Sequence, residues 1–163
     1  MAGTLDIKEL ARKLYEDFWT EHDDAVADEI IAADFVDHHV PPEYPPGPEG
    51  LRRWAANTRG GFPDFKIKIH RIIAEAEWLA CHIEFGGTHT GDFNGIAPTG
   101  QYAGAQAISI FRVSEGQFIE SWEFADVPGF LEPLGMVLSP VDGCPIDTAS
   151  EVTSMESSEI LSW

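Results

Sequence analysis

Early in the chain, apolar residues recur at three- and four-residue spacing: Leu5, Ile7, Leu10, Ala11, Leu14, Tyr15, Phe18 and Trp19. This spacing predicts an amphipathic helix of about four turns, with Thr4 or Asp6 as its cap. A second, short helix is expected over residues 25–31, opened by Asp23 and Asp24, whose charge suits a helix N-terminus. Residues 35–40 then read as a short strand carrying His38 and His39, broken by a loop with Pro41, Pro42, Pro45, Pro46 and Pro48. The helical period resumes over residues 48–59, with Leu51, Trp54 and Ala55 on the inner side, and Gly60-Gly61 ends it.

From Phe62 onward the period changes from helical to two. Phe65, Ile67, Ile69 and Ile73 alternate with Lys66, Lys68 and His70, and residues 74–77 make a turn. Further strands are expected over residues 78–90, 102–113 and 118–126, the last two joined by the hairpin turn Ser114-Glu115-Gly116. Short connections make these strands antiparallel neighbours, whereas the Gly- and Pro-punctuated residues 91–100 form a loop at one mouth of the sheet. Helices first and a meander last predict an α+β fold, with N-terminal helices folded over one face of a curved antiparallel sheet. Residues 138–163 are rich in Ser, Thr, Asp and Glu and lack Lys and Arg. They are expected to form a flexible acidic tail, or to dock through Ile160, Leu161 and Trp163, beside a single domain over residues 1–137.

The last strand carries the first candidate chemistry. Phe118, Glu120, Trp122, Phe124 and Asp126 share one parity and therefore one face, unless a bulge intervenes. An acid closing an aromatic face has a raised pKa if that face lines a cavity, which suits it to proton transfer near neutral pH. The other reading makes Asp126 the N-cap of a turn or helix over residues 128–134. Along the preceding strand, either Ala105, Ala107 and Ser109 or Gln106, Ile108 and Ile110 line the cavity. The small set leaves room for a flat multi-ring ligand.

Charge and cysteine usage narrow the classes. The chain carries 28 acidic against 10 basic residues, a net charge of −18, with no basic stripe to neutralise phosphates, so nucleic-acid binding is not expected. Low lysine with high acidity is also compatible with a high-salt source, where screening relieves self-repulsion. Cys81 in an apolar strand and Cys144 in the polar tail suggest neither a disulfide framework nor a metal site. No metal is expected, because adjacent histidines on a strand diverge and no Cys/His cluster exists. Neither Gly60-Gly61 nor Gly86-Gly87 forms a phosphate loop, so no nucleotide cofactor is expected. No apolar run is long enough to span a bilayer and the first residues do not read as a signal peptide, so a cytoplasmic address without membrane contact follows.

Several short motifs occur in a particular order: Phe62-Pro63-Asp64, Gly87-Thr88-His89-Thr90-Gly91, Pro98-Thr99-Gly100, Phe111-Arg112, Gly116, Glu120-Ser121-Trp122 and Asp126. In that order and spacing, from about residue 6 to residue 137, the chain resembles the SnoaL-like polyketide cyclases, also called ester cyclases. The resemblance implies a cone-shaped α+β barrel of the nuclear-transport-factor type, usually dimeric, around one deep apolar pocket. It also implies ring closure by an intramolecular aldol reaction without metal or cofactor, with Asp126 at the position of the proton-moving aspartate.

The remaining site candidates follow from that implied pocket. One of His38 and His39 points inward and polarises the carbonyl or enolate, or else is a structural histidine beneath the proline loop. His89 either contacts substrate or, with Thr88, organises the loop it enters; His82 is structural or solvent-facing. Trp122, Phe124, Trp54 and Phe18 are the expected substrate-binding aromatics. The expected ligand is a small apolar carbonyl compound, and the expected activity is that of a cyclase or isomerase. The alternatives are a non-catalytic binder, or an epoxide hydrolase or dehydratase using the same pocket. Apolar residues on both faces of the strand over residues 78–90 add the expectation of a homodimer through the outer face of the sheet.

Overall fold

Repeats of four, Leu10-Leu14-Phe18 and Ala11-Tyr15-Trp19, place two apolar rows side by side along the first helix. In the computed structural model, which describes residues 6–136, that helix begins as α1 (Ile7–Arg12), capped by the Asp6 side chain on the Lys8 N–H. It then continues in wider π-helical winding over Lys13–Thr20. The wider winding keeps both rows inward, so Leu14, Tyr15, Phe18 and Trp19 are all buried. Helix α2 (Val26–Ile30) runs without a break into β1 (Ile31–Asp37), which starts four residues earlier than its sequence pattern indicates. After the proline loop come α3 (Pro48–Gly61), β2 (Lys66–Glu75), β3 (Trp78–Thr88), β4 (Tyr102–Ser114), β5 (Gln117–Ala125) and α4 (Val127–Leu131).

The five strands form one sheet in the order β1-β5-β4-β3-β2. Strands β2 to β5 make the expected antiparallel meander, and Glu115 and Gly116 both take left-handed φ in the two-residue turn between β4 and β5. Strand β1 joins parallel to β5 at the edge, through Ile31↔Phe118, Val36↔Glu120 and Asp37↔Ser121. It can do so because the connection from β1 to β5 is long, holding α3 and strands β2 to β4, so the chain re-enters beside β1 in the same direction. One face of the sheet is covered by that layer and by α3, and the core lies between, built on Leu10, Phe18, Ile30, Phe62, Leu79, Ile83 and Phe118.

Two of the short motifs are structural. The Asp64 carboxylate accepts from the Thr88 N–H at 2.6 Å and from its hydroxyl at 2.7 Å, tying the start of β2 to the end of β3. These two bonds, the backbone one foremost, hold the Asp64 carboxyl below its ordinary range. Gly91 lies against the end of α3, where a Cβ would overlap the Gly60 carbonyl oxygen. The acidic tail over residues 138–163, Cys144 and the docking of Ile160, Leu161 and Trp163 lie outside the described residues. Among the described residues no helix is long and apolar enough to cross a membrane.

Candidate functional site

Adjacent apolar residues Phe118 and Ile119 interrupt the alternation of β5, and the strand bulges there. Val113 pairs with Phe118 but Arg112 pairs with Glu120, so Ile119 is one residue more than β4 can match. With a side-chain period of two, one extra residue moves every later side chain to the other face. Phe118 is buried, whereas beyond the bulge the inward set is Ser121, Glu123 and Ala125. The expected single face through Phe118, Glu120, Trp122, Phe124 and Asp126 is therefore divided. Phe124 is 68% exposed on the outer side.

Between the inner face and the helices lies a cavity of about 300 Å³, walled by Trp19, Phe35, Trp54, Phe65, Phe85, Phe93, Phe111 and Phe130 among others. The small set on β4 faces it, with Ser109 on the wall and Ala107 buried, while Ile108 is exposed on the other face. Glu123 supplies a carboxylate to this apolar space. Ser109, directly opposite on β4, donates from Oγ to Glu123 Oε2 at 2.8 Å. His39 Nδ1 stands 3.8 Å from Glu123 Oε1, and Asp37 lines the same wall, accepting the His39 backbone N–H at 2.9 Å. Burial is the largest influence on Glu123 and pushes its carboxyl above the ordinary range, with Asp37 adding in the same direction and His39 and Ser109 opposing. The arrangement is a desolvated acid with a histidine in reach, the kind of pairing that suits proton transfer. Among the described residues no three His, Cys, Asp or Glu side chains are grouped to hold a metal ion.

The structure separates the two histidines. His39 lines the cavity, with its ring edge-on to Trp54. His38 turns outward, stacks on Trp122 with ring centroids 4.9 Å apart, and shares a 2.9 Å hydrogen bond with Glu120. Trp54 and Trp122 both border the cavity, although the Trp122 ring also stacks on His38. Phe18 is buried beneath the Arg59 guanidinium and is not part of the cavity wall. His89 is fully buried, accepts the Thr99 N–H at Nδ1, and stacks on Phe62, away from the cavity wall. That is the loop-organising placement. His82 hydrogen-bonds to Gln106 on the outer face.

Asp126 corrects the expectation of a cavity acid beside Trp122 and Phe124. It is exposed and caps α4, accepting the Gly129 N–H at 3.0 Å, and a Cβ on Gly129 would collide with its carboxylate. It stands at the mouth of the cavity, between Ala125 and Val127, which do line it. The sequence reading missed Glu123, Asp37, Tyr15 and Ser121 as site residues. The doublet Phe118-Ile119 was the available signal for Glu123 and Ser121, because two adjacent apolar residues cannot both follow a simple alternation. For Tyr15 the signal was a hydroxyl within an otherwise apolar helix row.

Residues 9–134 match the model of a family described as SnoaL-like polyketide cyclase. No curated protein matches the sequence. Among solved structures, IdmH, a candidate polyketide cyclase from Streptomyces antibioticus, is 27% identical with a TM-score of 0.69, over 80% of this chain and 99% of that one. TsrD from Streptomyces laurentii is 21% identical with a TM-score of 0.74, over 80% and 96% of the two chains. A candidate polyketide cyclase from Bacillus cereus ATCC 10987 is 24% identical with a TM-score of 0.69, over 81% and 82%. The last two show the fold alone. That fold is the curved α+β sheet of nuclear-transport-factor type that the resemblance implies, here unclosed rather than a complete barrel.

Proposed function

The chain belongs to the SnoaL-like polyketide cyclase family, and on that premise we propose that it is a cofactor-independent cyclase or isomerase of an apolar carbonyl compound, with Glu123 as the group that moves the proton. The observation that carries this reading is the Glu123 carboxylate, desolvated on an aromatic cavity wall and oriented by Ser109. Ionised Glu123 takes a proton from the carbon next to a carbonyl. The enolate carbon attacks a second carbonyl of the same molecule, the new carbon–carbon bond closes the ring, and the resulting alkoxide takes the proton back from Glu123. His39, beside the other carboxylate oxygen, favours the ionised form before the abstraction. The aromatic wall suits a flat, multi-ring ligand.

The test is turnover of polyketide-type β-keto esters by the wild type, Glu123→Gln and Asp126→Asn. General acid–base catalysis contributes about 100- to 10,000-fold, so Glu123→Gln is expected to lose at least the lower figure. Asp126→Asn, which preserves the cap, is expected to stay within about threefold. Equal turnover by wild type and Glu123→Gln on a genuine substrate sinks the reading in favour of a binding protein. A loss confined to Asp126→Asn moves the role to the residue at the mouth.

We further propose that a second copy of the chain covers the outer face of the sheet. Trp78, Tyr102, Ile108 and Phe124 stand exposed there, too many large apolar groups on one strand surface to leave in water. Light scattering is expected to give a dimeric mass, and Phe124→Lys a monomeric one. A monomeric wild type at both low and high salt removes this proposal.

A further inference from the structure

Four hydroxyls lie on the cavity wall, and two of them are already committed. Ser109 donates to Glu123, and Thr58 donates to the Trp54 carbonyl at 3.1 Å. The other two, Tyr15 Oη and Ser121 Oγ, are buried and have no hydrogen-bond partner within the described protein. A buried hydroxyl without a partner costs free energy, so its presence in a folded core calls for an explanation.

Their positions relative to Glu123 suggest one. On the inner face, Ser109 of β4 is opposite Glu123 of β5, and Phe111 is opposite Ser121. Ser121 is also paired across to Asp37 of β1, which places it at the centre of the site. Tyr15 comes from the helical layer, with its ring edge-on to Phe111 at 6.3 Å. Two hydroxyls without partners thus share the cavity wall with the proton carrier, one from the strand and one from the helical layer. Alternate residues of a strand are about 7 Å apart, a span filled by a hydrogen bond to a carbonyl oxygen, the adjoining carbon acid and its contact with the base.

Resting on the proton-transfer reading of Glu123, we infer that Tyr15 and Ser121 are the catalytic donors that hold the substrate's carbonyl oxygen while it becomes an enolate. The ligand class is therefore a neutral ketone or ester with an oxygen free to accept two hydrogen bonds. Burial keeps Tyr15 suited to this role, because it pushes the phenol well above its ordinary pKa and leaves the proton on oxygen. His39 serves less well, since it faces the Glu123 carboxylate.

The experiment is a binding one and needs no substrate: titration of the full chain with 2-naphthol and with naphthalene, which lacks the oxygen. The wild type is expected to prefer 2-naphthol. Tyr15→Phe and Ser121→Ala are each expected to weaken 2-naphthol by about three- to tenfold while changing naphthalene by less than about twofold. The double variant should bind the two ligands alike. No preference in the wild type, or unchanged 2-naphthol affinity in both single variants, overturns the assignment. The result is read beside the separate turnover test of Glu123→Gln on β-keto esters. If that variant keeps its turnover while the naphthol contrast holds, the proton carrier is wrong and the donors stand; if the contrast is absent while Glu123→Gln is inactive, the reverse is true.

Discussion

Glu120 and Glu123 are three residues apart on one strand, yet they are in opposite electrostatic situations. Glu120 is on the outer face, where His38 and both Nε and Nη2 of Arg112 donate to it. These partners, His38 foremost, pull its carboxyl below the ordinary range. Glu123 faces the cavity with one serine donor and a histidine at longer range, and burial pushes it the other way. Solvent access and the number of donors decide which acid serves structure and which is free for chemistry. Sequence neighbourhood does not.

The sharpest way to break the comparison is to neutralise each acid in turn. Glu123→Gln is expected to lose at least about 100-fold in turnover, whereas Glu120→Gln should remain within about threefold, since it only removes partners on the outer face. Equal losses in the two would mean that the faces are not functionally distinct. The histidines give a second, smaller contrast. His39→Ala is expected to lower turnover about tenfold by removing the group that favours ionised Glu123. His38→Ala is expected to leave turnover within about twofold, its place being on the outer face. Comparable losses in both variants would contradict the separation of the two rings.

Stability against pH separates the two acids by sign. Glu123 has a raised folded-state pKa, so its effect favours folding below the ordinary glutamate value and is lost as pH rises through the folded value. Glu123→Gln should therefore be at least as stable as the wild type at neutral pH, with the advantage disappearing in acid. Glu120 has a lowered folded-state pKa, so its contribution is present above the ordinary value and lost as pH falls through the folded one. Glu120→Gln should be the less stable protein at neutral pH and equal in acid. Urea denaturation at pH values from acidic to neutral measures both, and curves of the same sign would refute the assignment. The smallest expected effect is at the cap. Asp126→Ala should cost about 1 kcal/mol of stability, Asp126→Asn much less, because asparagine also caps. A cost equal in both variants would mean that the 3.0 Å bond to Gly129 contributes nothing.

The amphipathic first helix, the helix over α3 and the β2–β5 meander were legible because each is set by a local period and bounded by local turn residues. The Ser114-Glu115-Gly116 hairpin was readable for the same reason, since glycine accommodates one of its two left-handed positions. The loop-organising role of His89 was among the readings available, and the structure places it there. The parallel pairing of β1 with β5 was not legible, because it joins segments about eighty residues apart. Of the candidate site, His39, Trp54 and Trp122 were legible, but the grouping around Glu123 was not. Its members come from the first helix (Tyr15), β1 (Asp37, with His39 just beyond), β4 (Ser109) and β5 (Ser121, Glu123), and no short stretch holds more than two of them.

The sequence by itself determined the order and type of the elements and the α+β class, and its motifs carried the family. The elements and the class rest on periodicity and turn chemistry, which act over a few residues, whereas the family rests on the order and spacing of the motifs. Tertiary structure alone decided which acid faces the cavity. That choice depends on one unmatched residue, Ile119, and a bulge exists only by comparison with the partner strand: nothing within Phe118-Ile119-Glu120 states how many residues β4 will offer opposite. Once the partner strand is in place, the parity of everything after Ile119 is fixed, Asp126 becomes the cap of the next helix, and Glu123 becomes the carboxylate in the cavity wall.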